Sequence, residues 1–136
     1  MLLLSVVALS VVGIGMQHRL NKQAQEKREV AYQSALGSYA QVLKPGMTRK
    51  AVEDYLRGKN VKFRQMCCVD PKDFSKGSWD DLTKIGEEDV PWVCRENNVN
   101  VAFQFTDHEE HEVRWQAHDL DTLKALTIYH QLEGCL

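Results

Sequence analysis

Long apolar runs are scarce in this 136-residue chain, and the one that occurs, residues 2–16, carries no charge. No later segment has the length or composition of a bilayer-spanning helix. Excess positive charge is missing too. Seventeen Lys and Arg stand against nineteen Asp and Glu, a net charge of −2, which excludes the basic stripe of a general nucleic-acid binder. The four cysteines contain no C-x-x-C, so a thioredoxin-like redox pair is not indicated. Neither phosphate-cradling glycine motif is present, and Ser34, Ser38, Ser75 and Ser78 have no nucleophile-elbow context. No cofactor is implied. Prolines number only three, so the breaks they make are few and can be placed. No internal repeat or low-complexity segment occurs, and the length allows one domain at most.

What is present begins with that apolar run. Leu2, Leu3, Leu4, Val6, Val7, Leu9, Val11, Val12 and Ile14 make a membrane-anchor candidate over residues 1–20. Fifteen residues of helix rise roughly 22 Å, short of a hydrocarbon core of about 30 Å, which suits a short anchor or a signal-peptide core. Nothing between Gly13 and Arg19 reads as an A-x-A-like processing site, so the run is expected to stay attached. Residues 21–34 are nearly all polar and carry no Pro, which predicts a helical stalk. Their basic residues, with Arg19, read as a solvated face near lipid headgroups.

Residues 35–136 then predict a two-layer α+β domain. Tyr32, Leu36, Tyr39 and Leu43 recur at helical spacing. Pro45-Gly46 stops that helix, and Thr48 offers an oxygen to cap a second, whose face carries Val52, Tyr55 and Leu56. Gly58 sits where a left-handed C-cap would fall. Strand alternation follows at Val61, Phe63 and Gln65, most clearly at Val99, Val101, Phe103 and Phe105, and again at Leu126, Ile128 and Leu132. Residues 82–87 suggest a short extra strand, giving an antiparallel meander of three to four strands under two helices. Trp79, Ile85 and Trp92 are expected to pin down the long segment 70–98. The predicted core is Tyr39, Leu43, Val52, Leu56, Val101, Phe103, Phe105 and Ile128.

The stretch from Leu43 through Gly46-Met47-Thr48 to Val52, Leu56 and Gly58 resembles the opening of the SmpA/OmlA (BamE-like) family of small envelope domains. Here an Arg is inserted, so that Gly58 follows Leu56 by two. The strong similarity covers about twenty residues, and the helix-helix-strand order carries it loosely through the rest. The resemblance implies a non-enzymatic envelope protein that assists assembly or binds other proteins. The related BLIP-type inhibitor domains share the fold and bind a protein partner with a sheet face. This chain lacks the lipidation cysteine of the lipoproteins. It adds a set of four cysteines and the segment 70–98.

Location is contested by two signals. Arg19, Lys22, Lys27 and Arg28 follow the anchor with nothing basic before it, which alone would leave the domain in the cytoplasm. Four cysteines in a small domain point instead to an oxidising compartment. With the family resemblance, they set the expectation of a single-pass membrane protein with its domain in the periplasm.

Cys67, Cys68, Cys94 and Cys135 are expected to converge at one end of an up-down-up meander. Two disulfides are the favoured reading, one from each of Cys67 and Cys68 to Cys94 and Cys135. Free structural thiols and a four-thiolate zinc site are the alternatives, although no C-x₂₋₄-C chelating pair supports the metal. Residues 107–112, Asp-His-Glu-Glu-His-Glu, space their histidines by three rather than the four of H-E-x-x-H, and read as a solvated hairpin tip. His118, Asp119 and Asp121 lie in the same connection, so metal binding or enzymatic chemistry using residues 108–121 is the runner-up function. His130 reads as a packed or edge histidine. Trp79, Trp92 and Trp115 read as packing residues, with a partner anchor near a hairpin as the alternative for Trp115.

Overall fold

The computed structural model describes residues 2–76, 79–108 and 116–136. The chain divides after Gln33 into two compact units. Helix α1, Leu2–Val42, is continuous over 41 residues. From Gln17 to Lys27 it is exposed throughout, in keeping with its polar composition. Among the described residues no helix is long and apolar enough to cross a membrane.

The second unit is an α+β domain. The last turns of α1 and the ten-residue α2, Arg49–Gly58, pack on a four-stranded antiparallel sheet. The strands are β1 (Arg64–Met66), β2 (Asp80–Glu87), β3 (Glu96–Thr106) and β4 (Thr122–Glu133), in sheet order β1-β2-β3-β4. The turn before α2 behaves as its residues dictate. Gly46 takes φ 91°, and the Thr48 side chain accepts from the Ala51 N–H at 3.3 Å. The C-terminal end differs from expectation. Gly58 stays helical, and the left-handed residue is Asn60 at φ 56°. Asparagine tolerates that conformation through its short polar side chain.

Alternate residues of β3 face the helices. Val101, Phe103 and Phe105 are fully buried with Leu43, Val52, Leu56 and Leu123, and Tyr39 meets Phe103 edge-on at 5.4 Å. Ile128 packs against this cluster half-buried. Ile85 lies at a bulge, where the β2–β3 register slips between Lys84 and Gly86.

Segment 70–98 contains more structure than its sequence suggests. A 3₁₀ helix, Pro71–Lys76, is followed by the full eight-residue strand β2. That strand changes the parity of the meander. With β2 inserted, β1 ends beside the C-terminal end of β3, since Met66 pairs Asp80 and Asp81 pairs Phe103. Cys94 and Cys135 lie at the other end, where Glu96 pairs Glu133. The four cysteines therefore do not converge. The expected bridges from Cys67 and Cys68 to Cys94 and Cys135 are replaced by Cys67–Cys68 and Cys94–Cys135. Trp92 is corrected as well. It is 93% exposed and pins nothing, while Trp79 is partly buried.

Candidate functional site

Two sets of side chains stand apart from the apolar core. The first is the sheet face that carries Asn98, Asn100, Ala102 and Gln104, which alternate with the core residues of β3. Strand alternation would put such residues in water on a two-layer domain, yet Asn98, Asn100 and Gln104 are all buried. For the two asparagines, part of the cover comes from the edge strands. Arg64 on β1 extends across the two central strands and donates to Gln131 on β4, and its guanidinium pairs with Glu133 at 2.5 Å. This bridge partly roofs the face and leaves a cleft of about 300 Å³. Lys62, Arg64 and Lys84 line it on one side and Glu96 and Glu133 on the other. Leu82 and the two asparagines form its floor.

Within the cleft, the Asn98 amide donates to Glu96 at 2.9 Å, but its Oδ1 is buried with no hydrogen-bond partner among the described residues. An unsatisfied carbonyl of this kind costs about 1–3 kcal/mol, and a ligand donor would relieve it. The loop leading into β3 at Glu96 carries exposed Trp92 and Val90. It is held to the end of β4 by Cys94–Cys135 and by the Arg95 N–H on the Glu133 carbonyl at 2.9 Å. Gly134 closes this junction at φ 62°, where a Cβ would meet Arg95 Cδ at 3.0 Å.

The second set is organised by Arg49, which is 1% exposed. It donates to Asp81 Oδ1 at 2.6 Å, to Asp121 Oδ2 at 3.3 Å and to the Trp79 carbonyl, and its guanidinium lies 3.9 Å above the Phe105 ring. Burial pushes the Asp81 carboxyl up to about 7, with Arg49 pulling it back and Glu53 adding to the rise. The Asp80 carboxyl is also raised by burial. It is drawn back by accepting from the Val69 and Phe105 amides at 2.8 and 3.1 Å. Arg49 thus locks the start of α2 to β2 and to the connection before β4.

Asp121, held in this way, gathers the histidines. Its Oδ1 lies 3.0 Å from His108 Nδ1, and its Oδ2 accepts the His118 N–H at 2.9 Å. The two imidazoles stack with centroids 4.1 Å apart. One ligand atom from each of His108, His118 and Asp121 falls within 4.8 Å of the others. Glu109, Glu110, His111, Glu112 and Trp115, singled out in the sequence, lie outside the described residues, as does Ser78. Asp119 is exposed and outside the cluster, and His130 is an exposed residue of β4, an edge histidine as expected.

Neither Arg49 nor Asn98 stands out from the sequence. Arg49 leaves one faint trace, since a cation in the first turn of a helix opposes the macrodipole and needs a reason. Asn98 and Asn100 read only as the polar half of an alternating strand. The chain matches no family model, no curated protein and no solved structure.

Proposed function

We propose that the chain is a non-enzymatic, membrane-tethered module of a bacterial envelope that binds a protein partner on the open face of its sheet. The observation that carries this reading is the roofed cleft with the unsatisfied Asn98 Oδ1 on its floor. Its mixed charge and polar floor suit a polypeptide segment that offers an amide or hydroxyl donor between flanking charged side chains. The exposed Trp92 beside the cleft is the residue type that anchors such interfaces.

The resemblance of residues 43–63 to SmpA/OmlA openings supports an accessory role, as does a fold of two helices on an antiparallel sheet. Cys94 and Cys135 bonded across 41 residues support a periplasmic domain, because such a bond persists outside the reducing cytosol. Residues 1–20 serve as the anchor in this reading, followed by the exposed polar helix as stalk. Stable retention by so short a run draws on the basic residues behind it, which hold anionic headgroups.

Photo-crosslinking in the native cells tests the reading. A crosslinker at Lys84, in the cleft, should give one discrete protein adduct, and the same group at Lys50, exposed on α2, should give none. Adducts at Lys50 alone, or at neither position, would sink the assignment of the face.

A further inference from the structure

We propose that His108, His118 and Asp121 form a binding site for a divalent ion of the zinc class. Two imidazoles and one carboxylate are a ligand set such an ion accepts, with the fourth position left to water. Three observations carry the proposal beyond the presence of these residue types.

The first is spacing. In a tetrahedral zinc site with bonds of about 2.0–2.1 Å, neighbouring donor atoms lie about 3.3 Å apart. His108 Nδ1 and Asp121 Oδ1 are already 3.0 Å apart, so a cation can sit between them with little movement when the ring carries its hydrogen on Nε2. Asp107 Oδ1 stands 3.5 Å from the same nitrogen and adds negative charge on that side.

The second is the outer shell. Asp121 is 4% exposed, and its Oδ2 is fixed by the Arg49 Nε–H at 3.3 Å and the His118 N–H at 2.9 Å. This leaves Oδ1 directed at His108. A ligating carboxylate held through its other oxygen is the arrangement that orients metal ligands. Arg49 divides its donors between Asp121 and Asp81, which it meets at 2.6 Å, so its guanidinium is not directed at the site alone.

The third is the readiness of His118. Its ring lies against His108, and its Nδ1 accepts only the exposed Leu120 N–H, at 3.2 Å, among the described contacts. That amide can bond to water instead, so the ring is able to turn off its neighbour and direct a nitrogen to the ion. No redox step or bond cleavage is involved. The ion takes ring-nitrogen lone pairs of neutral imidazoles and a carboxylate oxygen, and ties the end of β3 to the connection entering β4.

Titration of the full chain, purified in mild detergent and stripped with a chelator, tests the site. Cobalt(II) should bind with one equivalent and give the intense visible absorption of a tetrahedral centre. Zinc should displace it. His108→Ala and His118→Ala, each with an unchanged circular dichroism spectrum, should weaken zinc binding at least about tenfold by calorimetry. Should His108→Ala fail to fold, His118→Ala decides alone, because its ring contacts are peripheral to the core. Absence of the cobalt band, or zinc affinity unchanged in folded His118→Ala, would overturn the proposal.

Discussion

Replacing Arg49 with Met tests the energetic centre of the domain. The side chain is 1% exposed and binds two buried carboxylates, Asp81 at 2.6 Å and Asp121 at 3.3 Å, besides the Trp79 carbonyl. Methionine fills much of the volume over Phe105 but removes the cation that Asp81 and Asp121 share, leaving Asp121 with only its histidine and amide contacts. Breaking a buried ion pair from one side costs about 3–5 kcal/mol. A small domain has about 5–15 kcal/mol in total, so Arg49→Met should bring it close to unfolding at 37 °C. Urea unfolding of the detergent-solubilised full chain, followed by circular dichroism, reads the loss. Arg49→Lys should fall between, since a single ammonium cannot reproduce a planar fork that engages Asp81, Asp121 and the carbonyl together. The double variant Arg49→Met/Asp81→Leu should recover part of the loss, because one stranded carboxylate goes with it. A loss below about 0.5 kcal/mol for Arg49→Met, or a double variant no better than the single, would refute this reasoning.

Other predictions concern separate parts of the molecule. The raised Asp81 carboxyl makes its contribution to stability fully present below pH 4 and lost as the pH rises through about 7, so Asp81→Asn should flatten the pH dependence of the urea midpoint in that window. Phe103→Ala, at the centre of the core, should cost about 3–5 kcal/mol, and an unchanged thermal midpoint would mean the core face is misassigned. Removing Cys94–Cys135, which closes a loop of 41 residues, should cost about 4 kcal/mol in the chain-entropy picture, whereas Cys67→Ser/Cys68→Ser should change the thermal midpoint little because adjacent residues close no loop. Peptide mapping of protein acid-trapped in native cells should return these two pairs. Gly134→Ala should lower stability by more than about 1 kcal/mol, since a Cβ at φ 62° meets the Arg95 side chain.

The parts of the fold legible in the sequence are those where local and tertiary preferences agree. Pro45, Gly46 and Thr48 each act through their own backbone chemistry, so the turn and cap were readable residue by residue. Strand β3 was readable because Val99, Val101, Phe103 and Phe105 face one core. Strand β2 hid its full length. Asp80, Asp81, Leu82 and Thr83 are consecutively buried, which erases alternation, and Asp80 and Asp81 are acceptable there only through amides and an Arg supplied from elsewhere in the chain. Missing the parity of that strand misplaced Cys67 and Cys68 relative to Cys94 and Cys135. The cleft was illegible for a related reason. Its roof is a contact between residues 64 and 133, and no local pattern announces that the polar face of a strand will be covered. His108 and Asp121 were visible as residue types, but the Arg49 that fixes the Asp121 carboxylate was not.

The open face of the sheet is the proposed binding surface. The direct measurement is quantitative co-purification of partner protein with the tagged full chain from detergent-treated native cells, comparing Asn98→Leu and Lys84→Glu with Lys50→Glu. Both cleft variants should lose at least about tenfold in partner recovery without a fall in thermal midpoint that would indicate unfolding, and Lys50→Glu should retain it. Full recovery with both cleft variants, or loss confined to Lys50→Glu, would contradict the account.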